Sequence, residues 1–340
     1  MLKEKLYIDL RFWVRRINKQ NKPKRLLLKI LNVYAYDKET LNIVNPNYKN
    51  NQKNIAKFNE KTFNFSRGYL NLTRKINKLD IYFRYAPNNH LWNASKGTQR
   101  IIKNISKEKL IAISLLSLKG SILNFLENNK LDISINLIGD NSNSSFDNHL
   151  LEILKSEKFE VFFHKTKVDG NRGSYLECCD QAVNAEDLIF FIEDDYLFEL
   201  NCIEEMLLTF SRVSSLLNED IALCPSDYAF YYDSLYSTSL HIGKDYKWRN
   251  VGETLLTFLM SKKIFNKFNK LIRLVGTDKN DPFEKPLHDL YNQINCLAPV
   301  GSLSHHISRH VPIAHNEDWM KLWVTTSEIY DGLNLTSNYS

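Results

Sequence analysis

The chain has 340 residues, of which 43% are hydrophobic and 25% are charged. These values lie near the globular average, so they exclude a wholly disordered chain, a collagen-like fibre and a disulfide-stapled miniprotein. The five cysteines follow no metal-knuckle spacing, and no apolar run approaches the roughly 18–20 residues of a membrane span. No secretory signal is visible, so we expect a cytoplasmic protein.

The net charge of +6 is unevenly distributed along the chain. Residues 1–31 hold ten Lys or Arg and two acidic residues, whereas the remainder holds 35 basic and 37 acidic residues. A nearly neutral body disfavours a nucleic-acid partner. Within residues 1–31 the apolar residues Leu6, Leu10 and Trp13 recur at helical spacing. This segment predicts a basic helix that either contacts an anionic membrane at its inner face or packs on its own protein.

Strands and helices are predicted to alternate between residues 79 and 217, after an irregular, Asn-rich connection over residues 32–75. The predicted strands lie within residues 79–87, 131–145, 159–166 and 187–195, the second of them ending in a polar loop. The predicted helices cover residues 107–130, 146–158, 173–185 and 202–217. This alternation is typical of an α/β fold with a mainly parallel sheet flanked by helices.

Acidic residues follow two of the predicted strands. Asp140 ends the second strand, and Glu193, Asp194 and Asp195 follow the apolar run "LIFFI" of the fourth. Ligands of open parallel sheets bind at the carboxyl ends of the strands. Three adjacent carboxylates repel one another, and a divalent cation such as Mg²⁺ or Mn²⁺ would offset that repulsion. The alternative is an exposed acidic turn before a helix N-terminus.

The order of these motifs resembles the nucleotide-sugar glycosyltransferases of the GT-A fold, especially the family 2-like group. Such enzymes have an acid near the end of the second strand, an Asn-x-Gly segment that opens a helix, and an acidic DxD-type triplet closing an apolar strand. Asp140, Asn171 with Gly173, and the triplet 193–195 match these features. The resemblance covers residues 79–217 well and residues 218–325 more loosely.

This resemblance implies four parts of the chain and a set of site residues. Residues 1–75 hold the basic helix and the connection, 76–217 the nucleotide-sugar-binding half, 218–325 the acceptor-binding and catalytic half, and 326–340 a C-terminal tail. The implied contacts of a UDP- or GDP-sugar are Arg84, Asp140, Asn171, Arg172 and Asp194. The implied ligands of a Mn²⁺ or Mg²⁺ ion are Glu193, Asp195 and His306, with Glu193 acting through water.

The resemblance also implies an inverting reaction with a carboxylate general base and a glycan or lipid-linked acceptor. An acid at the start of a helix is expected to be that base. Asp289 in "LHDLY" fits best, with Glu284 and Glu253 behind it. The choice of His306 depends on the register of the "GSL" segment, and a one-residue slip would select His305.

Two other functions remain open at this stage. A sugar nucleotidyltransferase would be expected to carry a Gly-rich phosphate loop after its first strand, but the corresponding segment "RYAPNNHLWN" has no glycine. A noncatalytic module that binds carbohydrate or nucleotide with the same fold is the other alternative.

Overall fold

A computed structural model describes residues 58, 60–65, 68–88, 102, 105–232, 238–307 and 319–337. The predicted basic helix within residues 1–31, and with it the predicted membrane contact, lies outside the described residues. Within the connection that was predicted to be irregular, strand β1 (Thr62–Phe65) pairs antiparallel with strand β2 (Gly68–Asn71).

The first half of the main sheet is parallel, as the alternating pattern predicts. Its strands lie in the order β5-β4-β3-β6. They are β3 (Lys78–Tyr85), β4 (Asp132–Gly139), β5 (Glu160–Lys165) and β6 (Leu188–Glu193). The intervening helices are α1 (Lys107–Asn128), α2 (Ser144–Leu154) and α3 (Asn171–Ala182). Strands β3 and β4 are buried on both faces, and among their buried polar residues Ser134 Oγ donates to Asp80 Oδ1 at 2.6 Å.

The second half extends the same sheet with shorter, mostly antiparallel strands. Strand β7 (Tyr196–Phe198) and helix α4 (Cys202–Leu217) precede it. The added strands are β8 (Ala222–Leu223), β9 (Leu240–Ile242), β10 (Lys247–Asn250), β11 (Phe258–Ser261) and β12 (Cys296–Pro299). Helices α5 (Lys262–Thr277) and α6 (Lys285–Tyr291) lie between β11 and β12. In the described part of the chain the main sheet has nine strands flanked by helices, which confirms the predicted α/β class.

Two elements complete the described chain. Strand β13 (Ser304–His306) pairs with β7, and helix α7 (Trp319–Ser337) runs across residue 326, where the tail was predicted to begin. Trp323 is buried in a cluster with Ile105, Leu197 and Ile307, so helix α7 is fixed to the start of α1 and to β7. The four predicted parts of the chain stay predictions.

Helix α1 is the central core helix. Its length and composition would allow it to cross a membrane, but 61% of its apolar window is buried inside the protein. Leu110, Ile111 and Leu118 are completely buried in it. The five cysteines are likewise buried and unpaired, which indicates that they serve packing.

The pairing directions decide where a ligand can approach. Strands β3, β4 and β6 end at the same edge of the sheet, and β8 and β12 run in the same direction as β6. The chain segments after these five strands, and the start of β11, therefore meet at one edge. Open α/β sheets bind their ligands at such an edge.

Candidate functional site

A cavity of about 430 Å³ opens at this carboxyl edge of the sheet. Its lining residues are Arg84, Tyr85, Ala86, Asn88, Lys107, Asp140, Asn141, Asp169, Gly170, Asn171, Ser174, Glu193, Asp194 and Asp195. Five of these side chains are acidic and two are basic, so the lining carries a formal charge of −3. A cavity of this charge favours a bound cation, and such a cation would reduce the repulsion between the lining and a diphosphate.

Arg84 joins three elements at the base of the cavity. Its guanidinium donates to Glu193 Oε1 at 2.5 Å and to the Asn171 carbonyl at 3.2 Å. It also donates to the Asn171 side chain and to Ser174 Oγ. Burial is the largest influence on the pKa of Arg84 and acts to lower it, but the charge of Glu193 and the smaller contributions of its neighbours, Asp194 among them, together outweigh burial and the pKa is raised. Arg84 therefore stays charged and fixes the start of α3 against the end of β6.

Asp194 is held by a buried lysine. Lys107 Nζ lies 2.6 Å from Asp194 Oδ1, and the backbone N–H of Ala86 donates to Asp194 Oδ2 at 2.8 Å. Burial acts to lower the pKa of Lys107, but the charges of Asp194 and Asp195 outweigh it, so the pKa is raised. The sequence analysis missed Lys107. The signal was present, because a lysine opens α1 where the helix dipole favours an acid.

Asp195 lies close to a histidine of strand β13, which pairs with β7. His306 Nε2 lies 3.3 Å from Asp195 Oδ2, and the imidazole stacks on Tyr196 with the ring centroids 4.7 Å apart. Burial is the largest influence on the pKa of Asp195 and acts to raise it, but the charge and hydrogen bond of His306, together with the charges of Lys107 and Arg84, outweigh burial and the pKa is lowered. His305 Nε2 instead lies 2.8 Å from Glu199 Oε1. The pairing of β13 with β7 thus brings His306 to Asp195.

Asp140 is fixed against the start of α3. Both of its carboxylate oxygens accept from the Gly170 N–H at 3.0 Å. Gly170 has a φ of 96°, in the left-handed region that glycine adopts without strain. Burial raises the pKa of Asp140, and the Gly170 N–H acts to lower it. Asn171 lies beside this contact in the cavity wall, whereas Arg172 is exposed and is not part of the lining.

The predicted base and its first alternative lie at different places on α6. Asp289 has a half-exposed side chain that pairs with Lys285 at 3.2 Å, and it does not line the cavity. Leu287, Leu290 and Tyr291 bury one face of the helix and leave Asp289 on another. Glu284 precedes the helix and is half-buried. The geometry therefore does not support Asp289.

Glu284 is electrostatically connected to the cavity. Burial and the charge of Glu193 raise the pKa of Glu284, while Arg84 and His306 act to lower it. These three partners are the groups described above at the ends of β3, β6 and β13. Glu284, like Asp289, is not among the lining residues of the cavity, and its connection to the site is through the charges of Glu193, Arg84 and His306.

The donor atoms fit a weakly coordinated divalent ion. Among the described residues, no three His, Cys, Asp or Glu side chains converge on a ready metal site. Mg²⁺ is commonly held by one or two carboxylates with substrate phosphates and water completing the shell. Asp195 and His306 can supply two ligands, whereas one oxygen of Glu193 and both oxygens of Asp194 already accept hydrogen bonds. The predicted metal stays a prediction.

Comparisons with known proteins return solved structures alone. No protein-family model and no curated protein matches the chain. Glycosyltransferase GlyE of Streptococcus pneumoniae TIGR4 is 10% identical with a TM-score of 0.37, and the match covers 65% of this chain and 45% of GlyE. A nucleotide-diphospho-sugar transferase from Desulfovibrio desulfuricans G20, described as putative in its name, is 9% identical with a TM-score of 0.37 over 66% and 80% of the two chains.

A third similar structure is the inositol-1-phosphate CTP transferase from T. maritima. It is 12% identical with a TM-score of 0.40, and the match covers 74% of this chain and 97% of that chain. The similar structures thus include a glycosyltransferase, a nucleotide-diphospho-sugar transferase and a CTP transferase by name. The chain spans less than half the length of GlyE, and TM-scores below 0.5 carry no argument about activity.

Proposed function

We propose that this protein is a metal-assisted glycosyltransferase that uses a nucleotide-sugar donor. The observation that supports this most is the acidic cavity at the strand ends, which Asp140 and Asp195 line together with Arg84 and Lys107, with His306 lying 3.3 Å from Asp195. A nucleoside diphosphate presents N–H donors at its base and negative charge at its phosphates. The cavity offers a carboxylate that can accept from the base, and acidic residues that can hold a divalent cation beside the phosphates.

The residues of the cavity have separate tasks in this proposal. Asp140 accepts hydrogen bonds from the nucleoside, and Asn171 contributes polar contacts to the donor. Asp195 and His306 hold the divalent ion, which supplies positive charge next to the leaving diphosphate. Arg84 keeps Glu193 and Asn171 in place. The donor is a UDP- or GDP-sugar, and the acceptor is a glycan or a lipid-linked hydroxyl.

Glu284 acts as the general base. As the acceptor oxygen bonds to the anomeric carbon, the hydroxyl proton passes to the Glu284 carboxylate and the bond from that carbon to the diphosphate oxygen breaks. The configuration at the anomeric carbon inverts because attack and departure occur on opposite faces. A carboxyl group whose pKa is raised is a better proton acceptor near neutral pH than an ordinary glutamate.

The test compares Glu284→Gln with Asp289→Asn, which removes a charge from the same helix. The assay measures nucleoside diphosphate released from UDP- and GDP-sugars with Mn²⁺, and a nucleotidyltransferase would release pyrophosphate from a nucleoside triphosphate instead. We expect Glu284→Gln to lower kcat by about 10²–10⁴-fold, the usual contribution of a positioned base, with donor affinity unchanged. Asp289→Asn should stay within a few-fold of the wild type.

The pH profile adds a second readout. Activity requires the deprotonated base, so it should rise with pH through the Glu284 pKa, above the ordinary glutamate value of about 4.3. This acidic limb should disappear in Glu284→Gln. If kcat falls strongly in Asp289→Asn and changes little in Glu284→Gln, Asp289 is the general base, as the sequence predicts. Absence of binding and turnover with every nucleotide sugar, with or without Mn²⁺, would refute the proposed function.

A further inference from the structure

Lys107 is a buried cation that the reaction described above does not use. It is 6% exposed, and it occupies the first position of α1, where the positive end of the helix dipole disfavours another positive charge. A buried ammonium group is expensive to desolvate unless it has an anionic partner. Asp194 is that partner at 2.6 Å, and both side chains line the cavity. An exposed lysine elsewhere on α1 would avoid these costs, which points to a role in the site.

The contacts of Lys107 divide the acidic triplet. Asp194 accepts from Lys107 at one oxygen and from the Ala86 N–H at the other, while Asp195 faces His306. Asp194 and Asp195, which follow each other after β6, therefore have different partners. Because the charge of Lys107 balances that of Asp194, Asp195 is the carboxylate that is left to bind a cation.

We propose that Lys107 is a positioning residue that keeps Asp194 out of metal coordination and supplies positive charge for the donor diphosphate. This inference rests on the proposed function. It has a consequence that a purely structural lysine would not have. Removing the charge changes the formal charge of the lining from −3 to −4, so a divalent cation alone should bind more tightly and a nucleoside diphosphate without metal should bind more weakly.

The first experiment measures these two affinities separately by calorimetry. The probes are Mn²⁺ alone, and UDP and GDP in the presence of EDTA. For Lys107→Met we expect Mn²⁺ affinity to rise and nucleotide affinity to fall, each by about tenfold for one charge a few ångströms away in a partly buried site. Lys109→Met is the matched control, because Lys109 lies on the same helix turn and pairs with the exposed Asp331. Its two affinities should not change.

A second variant covers the case in which Lys107→Met leaves Asp194 buried without a partner and does not fold. Lys107→Met combined with Asp194→Asn removes both charges and keeps the formal charge of the lining at −3. Replacing both partners of a buried pair is far less damaging than removing one of them. Because Asp194 is not a ligand in this proposal, the double variant should bind Mn²⁺ within about threefold of the wild type.

Three results would overturn the inference. The first is that folded Lys107→Met binds Mn²⁺ and nucleotide with unchanged affinity, and the second is that its affinity falls for both. The third is that Mn²⁺ affinity falls by more than about tenfold in the folded double variant, which would make Asp194 a metal ligand. Failure of the proposed function is distinct, because the wild-type protein would then bind no UDP, GDP or nucleotide sugar under any of these conditions.

Discussion

Gly173 offers a sharp test of how the start of α3 is built. A Cβ atom at this position would lie 1.7 Å from the carbonyl oxygen and 2.5 Å from the carbonyl carbon of Val168. These are backbone atoms of the segment that carries Asp169 and Gly170 between β5 and α3. Gly173→Ala therefore has to displace this segment, and with it the Gly170 N–H that both oxygens of Asp140 accept from.

Two opposing terms determine the expected effect of Gly173→Ala. Alanine inside a helix is better than glycine by about 1 kcal/mol. Overpacking costs about 1–3 kcal/mol, and each hydrogen bond to a charged group that is lost removes about 1.5–3 kcal/mol more. With one such hydrogen bond lost, we expect the free energy of unfolding to fall by about 1.5–5 kcal/mol, and nucleotide affinity to fall by at least about tenfold because Asp140 and Asn171 move together.

The matched control is Gly332→Ala in α7, where the added Cβ would meet no atom within 4 Å. Helix propensity acts there without opposition, so the free energy of unfolding should rise by about 0.5–1 kcal/mol. Urea unfolding followed by circular dichroism gives both values, and calorimetry with UDP and GDP gives the affinities. A Gly173→Ala protein that is as stable as Gly332→Ala, with unchanged nucleotide affinity, would refute the close approach at Val168.

Two further predictions concern the metal. Asp195→Asn should abolish Mn²⁺-dependent nucleotide binding in calorimetry while circular dichroism shows an intact fold, and an unchanged affinity would remove Asp195 from the metal site. His306→Ala should reduce Mn²⁺-dependent turnover more than His305→Ala, because His306 faces Asp195 and His305 faces Glu199; a greater loss in His305→Ala would contradict this arrangement.

The first half of the fold could be predicted because strands and helices alternate regularly in its sequence. Strand β6 is buried and has an unbroken apolar sequence up to Glu193, so the acidic triplet that ends it stands out. The second half is different, since β8 has two residues and β9 has three, and a pattern of that length cannot be told from a loop.

The choice of base could not be made from local pattern. Helix α6 has seven residues, so its position in the fold is set by the burial of Leu287 and Leu290 against other elements. This packing places Asp289 next to Lys285, while the charges of Arg84 and Glu193 act on Glu284. Which of these two acids could serve as a base depends on tertiary contacts that a local pattern does not contain, and the choice of Glu284 stays a proposal.

The acidic triplet illustrates a related difficulty, since its three members look equivalent in the sequence. In the structure each meets a cationic or imidazole group from a different element: Glu193 meets Arg84 of β3, Asp194 meets Lys107 of α1, and Asp195 meets His306 of β13. These contacts connect the end of β6 to three segments that are far apart in the chain.

The three pairings also argue that the triplet members have different functions. The Glu193 pair fixes the start of α3, because Arg84 also donates to Asn171. The Asp194 pair fixes the start of α1 and the turn after β3, because Ala86 donates to the same carboxylate. Asp195 pairs with His306, and of the three partners only this imidazole can bind a metal ion together with a carboxylate. Glu193 and Asp194 thus each have a partner that joins two elements of the fold, and the histidine partner of Asp195 is the reason that Asp195 is proposed as the metal ligand.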